Sequence, residues 1–228
     1  MPRLRPLCLL AALAGLGAAT PASAQRLTPV YDARQVGTPG RPSQAVVQAV
    51  RAQALPEARR RWSGAAGCDA GDFRIVDVAS GAFTAPGRRQ TAVLYTYCVT
   101  GHNAAHNGVA IFEGSRMVRQ YLYEGGAESA LGALPDLNGN RRSELIVASG
   151  GTNQGVTWTC ARVYDAGAQG LSRIAEFPGL SPDGLAYRTY ATTGARPAFS
   201  RQGYRRQGGR WVAVGGRAAF AATGCAEN

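Results

Sequence analysis

The sequence predicts a mainly β protein of partial propeller-like blades or stacked antiparallel sheets, about 50 residues per blade, with one helical segment near the N-terminus. Three observations predict this fold class. From residue 72 onward, short apolar or alternating runs are separated by Gly, Asn, Pro and Ser. Two of these runs recur at a nearly constant spacing. Glycine accounts for 30 of the 228 residues, which is about twice its usual share.

Residues 1–24 have the pattern of a secretory signal peptide. Two arginines precede the apolar run Leu7–Ala19, and a cleavage site of the A-x-A type ends at Ala24. The apolar run is too short to span a bilayer, and no later apolar stretch is long enough. We therefore expect a secreted or periplasmic protein, cleaved after Ala24, with no membrane span.

The segment 25–62 is predicted to hold an extended arm followed by a helix. Residues 25–41 are rich in Pro and Gly and show little periodicity. Ser43 can then cap a helix whose apolar face includes Val46 and Val50 at i, i+4 spacing. Pro56 either ends this helix or begins a second short one that runs to Trp62.

Residues 63–228 are predicted to form the blade-repeat domain. Its strands are short and lie between turn residues, as in sandwiches, barrels and propellers. The predicted strands are Phe73–Val78, Thr91–Val99, Val109–Glu113, Val118–Tyr123, Leu145–Ser149, Val156–Tyr164, Leu171–Phe177, Ala186–Thr192 and Ala198–Gln202, followed by a hairpin of residues 204–207 and 210–214.

An internal repeat favours blades over the other β folds. The pattern of Gln90–Tyr95 recurs at Ser143–Ala148, and that of Gly108–Gly114 recurs at Cys160–Ala166. Each pair is separated by 52 or 53 positions, which is the size of one blade of three or four strands. The residues after Trp62 suffice for about three such units, fewer than the usual closed propeller contains.

One loop carries the strongest chemical signal, and it lies directly before a predicted strand. Oxygen-bearing side chains occupy its first, third, fifth and ninth positions, and Gly139 allows a tight turn. Calcium binds six to eight oxygens, and a loop of alternating Asp and Asn side chains can surround one ion. The oxygen-bearing residues are Asp136, Asn138, Asn140 and Glu144.

This spacing resembles the calcium loop of FG-GAP repeats, the integrin-type and VCBS-like blades of secreted and surface propellers. The resemblance implies that the four side chains named above and the backbone carbonyl of Arg142 bind a calcium ion. The loop departs from the family pattern at Asn140 and Glu144, where Asp is usual or commoner, and at Arg141, where Gly is usual. The alternative interpretation is a turn whose side chains bond their own backbone.

The cysteines of the predicted mature chain predict two disulfides, as expected for an exported protein with an even number of them. Four cysteines allow three pairings. The pairs that close the shorter loops are favoured, namely Cys68 with Cys98 and Cys160 with Cys225.

Charge suggests acidic envelope polymers as partners, with another protein as the alternative. All 25 basic residues are arginine, which excludes chemistry that needs a lysine. Removing the two arginines of the signal peptide lowers the formal charge from +11 to +9. Arg59, Arg60 and Arg61 form a candidate polyanion site, although a basic run also complements a helix dipole. Nucleic acid is not the expected partner.

The leading functional hypothesis is a non-catalytic binding or structural module of the envelope. A hydrolase on the same sheets, with His102 or His106 as the base, is one alternative, and an arginine-rich polyanion-binding protein is another. Both histidines are predicted to lie in a solvated loop. Carboxylate pairs for such an enzyme include Asp136 with Glu144 and Glu124 with Glu128, and no sequence motif selects between the pairs.

Overall fold

The computed structural model describes residues 27–35, 39–68, 72–100, 104–153 and 155–225. The predicted signal peptide lies outside these residues. Among the described residues, no helix has both the length and the apolar character needed to cross a membrane.

The mainly β fold class is confirmed. The strands are β1 Leu27–Asp32, β2 Arg74–Gly81, β3 Gln90–Thr100, β4 Ala104–Glu113, β5 Arg116–Gly126, β6 Glu128–Leu134, β7 Glu144–Asn153, β8 Val156–Ala166, β9 Leu171–Leu180, β10 Ala186–Thr192, β11 Phe199–Gln207 and β12 Arg210–Ala219.

The strands form two antiparallel sheets. One sheet has the order β2-β3-β4-β5. The other sheet has the order β12-β11-β10-β9-β8-β7-β6, and β1 also pairs with β10. Its two halves are joined weakly, because β9 and β10 align only at Leu180 and Ala186. We call β2–β5 blade A, β6–β9 blade B, and β1 with β10–β12 blade C.

The internal repeat corresponds to equivalent strands of blades A and B. Gln90–Tyr95 lies in β3, and Ser143–Ala148 leads into and forms the start of β7, so both are second strands of their blades. The other matched pair lies in β4 and β8, the third strands. Blades of about 50 residues are therefore present in the structure.

Two strands were not predicted, and both depend on tertiary pairing. The segment described as an extended arm contains β1, which pairs with β10 in register Leu27 to Thr192. Strand β6 has the sequence ESALGAL, which is poor in β-branched and aromatic residues. Pairing with β7 and a hydrogen bond from Leu131 N to Asp77 Oδ2 (2.8 Å) hold β6 in place.

The helical segment has the predicted N-terminus. Ser43 is the N-cap and its hydroxyl accepts a hydrogen bond from Val46 N at 3.3 Å. The α-helix Gln44–Ala49 continues through a π-helical stretch, Val50–Ala54, into a second α-helix, Leu55–Trp62, with Pro56 in its first turn. Its buried face packs on blade A with a cluster that includes Ala49, Val50, Ala54, Ala58, Trp62, Val93, Tyr95, Tyr97, Ala110 and Phe112.

The blades are stacked face to face. A buried cluster between blades A and B contains Phe83, Leu94 and Leu145. A second cluster, with Leu137 and Phe177, joins blade B to blade C. The helix covers the outer face of blade A, so blades A and B are each covered on both faces.

Candidate functional site

A cleft of about 600 Å³ lies where the end of blade A meets blade B, a volume typical of small-molecule sites. The turn from β5 into β6 forms one side, and β8 and β9 form the other. The lining residues with charged or aromatic side chains are Tyr123, Glu124, Glu128, Trp158, Arg162, Tyr164, Arg173 and Glu176.

Arg162 stands at the centre of a charged network in this cleft. Its Nε donates to Glu176 Oε1 at 2.9 Å, and its Nη1 donates to Ser149 Oγ at 3.0 Å. Glu128 Oε1 lies 3.7 Å from the same Nη1. Burial alone would lower the pKa of Arg162, but the carboxylates of Glu128 and Glu176 raise it, so the guanidinium stays charged. Arg173 forms an ion pair with the second oxygen of Glu176.

Two polar atoms in the cleft are buried without a hydrogen-bond partner within the described parts of the chain. They are Glu128 Oε2 and the hydroxyl of Tyr123. Glu128 is only 3% exposed, and burial raises its pKa to about 7 against the opposing effect of Arg162. Burial and then the Glu128 charge raise the pKa of Tyr123 well above its ordinary value. Each unsatisfied buried group costs about 1–3 kcal/mol.

The remaining walls are aromatic, with an acidic rim. Trp158 and Tyr164 line the side formed by β8. Glu124 lies at the rim with its side chain 71% exposed. The cleft therefore combines flat apolar surfaces with groups that can donate and accept hydrogen bonds, as small-ligand sites do.

The predicted calcium loop folds around Asp136. Asp136 Oδ1 accepts from Gly139 N at 2.7 Å and from Asn140 N at 3.1 Å, and Oδ2 accepts from Arg141 N at 2.7 Å. Asn138 Oδ1 also accepts from Asn140 N. These contacts form the backbone-bonded turn that was the alternative interpretation.

Other members of the predicted ligand set contact the end of β8. Asn140 Oδ1 accepts from Arg142 N at 2.8 Å, and its Nδ2 donates to Asp165 Oδ1 at 3.0 Å. The Arg142 guanidinium forms an ion pair of 2.7 Å with Asp165. The side chains of Asn140 and Arg142 thus fasten the loop to blade B.

Glu144, the last residue of the set, is fully buried. Its Oε2 accepts from Leu137 N at 2.8 Å. Its Oε1 has no hydrogen-bond partner among the residues that the structure describes. Burial, assisted by the nearby Asp136 charge, raises the pKa of Glu144 to about 7.

The candidate polyanion run lies in the last turn of the second α-helix. Arg59, Arg60 and Arg61 are exposed, and Arg60 forms an ion pair with Glu57. Basic side chains at this end of a helix complement its dipole. The interaction with the helix dipole therefore explains the three consecutive arginines without any bound ligand.

The prediction of a solvated histidine loop is wrong for His106. The residue lies in β4, its side chain is 12% exposed, and its ring stacks on Trp62 at a centroid distance of 4.8 Å. Stacking on a buried indole outweighs the loop character of the surrounding Gly and Asn residues. Its Nδ1 lies 3.8 Å from Glu124 Oε1. His102 lies outside the described residues.

Both predicted disulfides are present. Cys68 pairs with Cys98, and Cys160 pairs with Cys225. The second disulfide lies beside the cleft, since Cys160 Sγ is 3.7 Å from Glu176 Oε1. The two disulfides point to an oxidising, extracellular compartment.

The main residues of the cleft were not predicted, apart from Glu124 and Glu128, which were named as an unselected pair. Arg162 of β8 and Glu176 of β9 each lie between two apolar neighbours in the sequence. A charge between apolar neighbours in a strand is an available sequence signal, because a buried charge needs a partner. Which charges meet depends on strand register, which composition does not reveal.

Comparison with family models, with curated proteins and with solved structures gives no significant match to this chain.

Proposed function

We propose that the protein is an exported, non-catalytic binding module whose cleft binds a small neutral polyhydroxylated ligand of the sugar class. The supporting observation is that Tyr123 and Glu128 line the same aromatic cleft, and that the Tyr123 hydroxyl and Glu128 Oε2 are buried with no hydrogen-bond partner among the described residues. A ligand hydroxyl can satisfy each of them and recover the free energy that burial costs.

The charges of the cleft support a neutral ligand. Three carboxylates oppose an anion, and the buried guanidinium of Arg162 opposes a cation. With a pKa of about 7, Glu128 is protonated in a large fraction of molecules at neutral pH. It can then donate as well as accept a hydrogen bond, which suits a hydroxyl. Trp158 and Tyr164 offer apolar surface to the ring faces of a sugar.

Isothermal titration calorimetry with a panel of neutral mono- and disaccharides tests this proposal. We expect Tyr123→Phe to weaken binding about tenfold, or roughly 1.4 kcal/mol. Its free energy of unfolding should stay the same or rise, because the lost hydroxyl has no protein partner within the described residues.

Tyr121→Phe is the matched control. Its hydroxyl donates to Gly167 O at 2.7 Å, outside the cleft lining. It should lose about 1 kcal/mol of stability and keep its affinity. If no sugar binds at millimolar concentration, or if both variants bind like the wild type, the proposal fails.

A hydrolase remains the second candidate function. A general acid needs a pKa near the working pH, and burial brings that of Glu128 to about 7. Glu124 and Glu176 are possible second carboxylates in the same cleft. Assaying disaccharides and glycosides for released reducing sugar separates the two functions. Turnover that is lost in Glu128→Gln while binding persists would replace the non-catalytic proposal.

We also propose that the loop 136–144 takes up calcium weakly, which would stabilise blade B. Glu144 Oε1 has no hydrogen-bond partner within the described ranges, and the Asp136 charge is close enough to help raise the pKa of Glu144; both observations support a cation site here. The residues that would hold the ion are the predicted set, Asp136, Asn138, Asn140 and Glu144, with the carbonyl of Arg142. When bound, the ion would neutralise the two carboxylates.

A further inference from the structure

Blade C and the residues after it carry an unbalanced positive charge. Within residues 184–225 there are seven arginines and no Asp or Glu. The whole chain has 25 basic and 14 acidic residues, so this segment departs strongly from the average. The arginines are Arg188, Arg196, Arg201, Arg205, Arg206, Arg210 and Arg217.

Several of these arginines share one face of blade C with aromatic residues. In an antiparallel pair, residues opposite each other point to the same side. Ala186 is opposite Tyr204, which places Arg188 and Tyr190 on the side of Tyr204. Tyr204 is opposite Ala213, and Arg206 is opposite Trp211. We call this surface the C face, formed by Arg188, Tyr190, Tyr204, Arg206, Trp211 and Arg217.

Two guanidinium groups of the C face, and one from outside it, lie over tyrosine rings of the C face. Arg188 and Arg217 lie over Tyr190, with Cζ at 5.2 and 5.4 Å from the ring centroid. Arg34, from the turn after β1, lies 3.8 Å over Tyr204. A stacked guanidinium keeps its N–H donors free at the edge of the plane while losing less side-chain entropy on binding an anion.

Little of this charge is neutralised. Asp32 pairs with Arg34 at 2.6 Å and lies 3.7 Å from Arg188. Arg206 and Arg217 are exposed, and no carboxylate of the described residues lies within ion-pairing distance of either. Residues 212–219 of β12 are exposed throughout. The C face therefore offers fixed donors and positive charge to solvent.

We propose that the C face binds a linear acidic polysaccharide. The charges are spread over β10, β11 and β12, and adjacent strands lie about 4.8 Å apart. A chain with repeated anionic groups can reach several of these strands, whereas one small anion reaches only one or two arginines. Charge complementarity with Arg188, Arg206 and Arg217 selects an anionic partner, and the other arginines of residues 184–225 add to the positive potential of this region.

The covered tyrosine rings favour a polysaccharide over a single-stranded nucleic acid. Proteins that bind single strands stack bases on open aromatic rings. On the C face, guanidinium groups already lie over Tyr190 and Tyr204, which leaves Trp211 as its one ring without a stacked arginine among the described residues. The surface is therefore suited to recognising carboxylate or sulfate groups, with no need for bases.

Fluorescence anisotropy with a labelled heparin fragment tests the proposal on the mature protein with both disulfides intact. The test variant carries Arg188→Gln, Arg206→Gln and Arg217→Gln. We expect it to bind at least tenfold more weakly at 50 mM salt. The slope of log K against log salt should also become shallower by about two to three units, one for each lost ionic contact.

The matched control carries Arg59→Gln, Arg60→Gln and Arg61→Gln, which removes the same net charge from an exposed helix end. It should bind heparin like the wild type. An equal loss of heparin affinity in both variants would mean that only net charge determines binding, and would contradict a specific site on the C face. A thymidine oligonucleotide of equal charge that binds more tightly than heparin would overturn the polysaccharide, as would no heparin binding at 50 mM salt. Melting curves check that both variants are folded.

Discussion

Blades A and B differ in the side chain that holds the loop between their first two strands. In blade A, the first residue of β3 is Gln90, which is buried and fully bonded. Its Oε1 accepts from Thr84 N at 2.9 Å, and its Nε2 donates to Thr84 Oγ1 and Glu113 Oε1. In blade B, the first residue of β7 is Glu144, which is buried and has one oxygen without a partner in the part of the chain that the structure describes.

The backbones of these loops also differ. Blade A places a glycine, Gly87, at a φ of +69°. Blade B places Arg141 at a φ of +65°, where its N–H is held by Asp136. A neutral amide thus has its hydrogen bonds satisfied in the first loop, whereas a carboxylate in the second loop keeps one oxygen without a partner among the described residues. A repeated fold can therefore place a buried ionisable group in this loop of only one of its copies.

The largest expected effect is that of Asp136→Ala. Asp136 accepts from three backbone N–H groups, and alanine accepts from none. We expect a loss of about 3 kcal/mol in the free energy of unfolding, measured by urea titration. Thr84→Ala in the loop of blade A should cost less than about 1 kcal/mol, because Gln90 can still accept from the backbone at position 84. Equal losses would mean that the two loops do not differ.

The free energy of unfolding should depend on pH because of Glu144, which has no ionisable counterpart in the loop of blade A. Burial raises the pKa of Glu144 from 4.5 to about 7. The folded protein therefore holds more protons than the unfolded chain in this window, so stability falls as pH rises from about 5 to 7. Glu144→Gln gives blade B the amide of blade A and should recover about 2 kcal/mol at pH 8.

Further variants distinguish the contributions of the two buried acids, Glu144 and Glu128, to the pH dependence of stability. Glu128 has a similarly raised pKa, so Glu144→Gln should remove only part of the pH dependence and the double variant with Glu128→Gln should remove more. Glu124→Gln, at an exposed side chain, should leave the curve unchanged. If Glu144→Gln destabilises the protein at pH 8, the carboxylate is needed in its charged form.

Calcium should stabilise the protein through the loop of blade B alone, by a smaller free energy than the substitution of Glu144 at pH 8. An ion that binds only the folded form stabilises it by RT ln(1 + [Ca²⁺]/Kd), about 1.4 kcal/mol at ten times Kd. For a weak site of order 10⁻⁴ to 10⁻³ M, this raises the melting temperature by roughly 2–4 °C at millimolar calcium. Asn138→Asp should enlarge the shift, and Glu144→Gln should abolish it. A melting curve indifferent to calcium, together with a destabilised Asp136→Ala, would leave only the hydrogen-bonded turn.

The sequence predicted the parts of the fold that local pattern determines. The apolar runs of β3 and β4 and their repeats in β7 and β8 are visible without a structure. Ser43 marks the helix start because its cap is a local hydrogen bond. Strand β6 was missed because its low β propensity is overcome by pairing with β7, and His106 was misplaced because its partner Trp62 is distant in sequence.

The cleft was less predictable, for a physical reason. Glu128, Arg162 and Glu176 lie in three different strands, and they meet only in the observed register. The sequence predicted Glu124 and Glu128 as a carboxylate pair, but it did not predict which of the two side chains is buried. Burial, which makes Glu128 and Tyr123 notable, is a property of the assembled blades.

The smallest expected effect concerns Arg141, the one described residue other than glycine with a positive φ. A side chain in this region costs about 1–2 kcal/mol, and glycine removes that cost. Glycine also gains more freedom in the unfolded chain, which offsets about 0.4–1 kcal/mol. Arg141→Gly should therefore raise the free energy of unfolding by about 0.5 kcal/mol without calcium, as measured by urea titration.

Measuring Arg141→Gly with and without calcium distinguishes the effect of backbone strain on stability from the effect of the arginine charge. Removing a cation from the loop favours a bound dication, so with millimolar calcium the gain from Arg141→Gly should exceed its calcium-free value. Arg142→Gly is the control at the next residue, where the loss of the ion pair with Asp165 should lower stability in either condition. If Arg141→Gly destabilises the protein, the Arg141 side chain stabilises the loop through a contact that outweighs its backbone strain. Blade B would then tolerate an arginine with a positive φ in this loop, where blade A has a glycine, because that contact compensates for the strain.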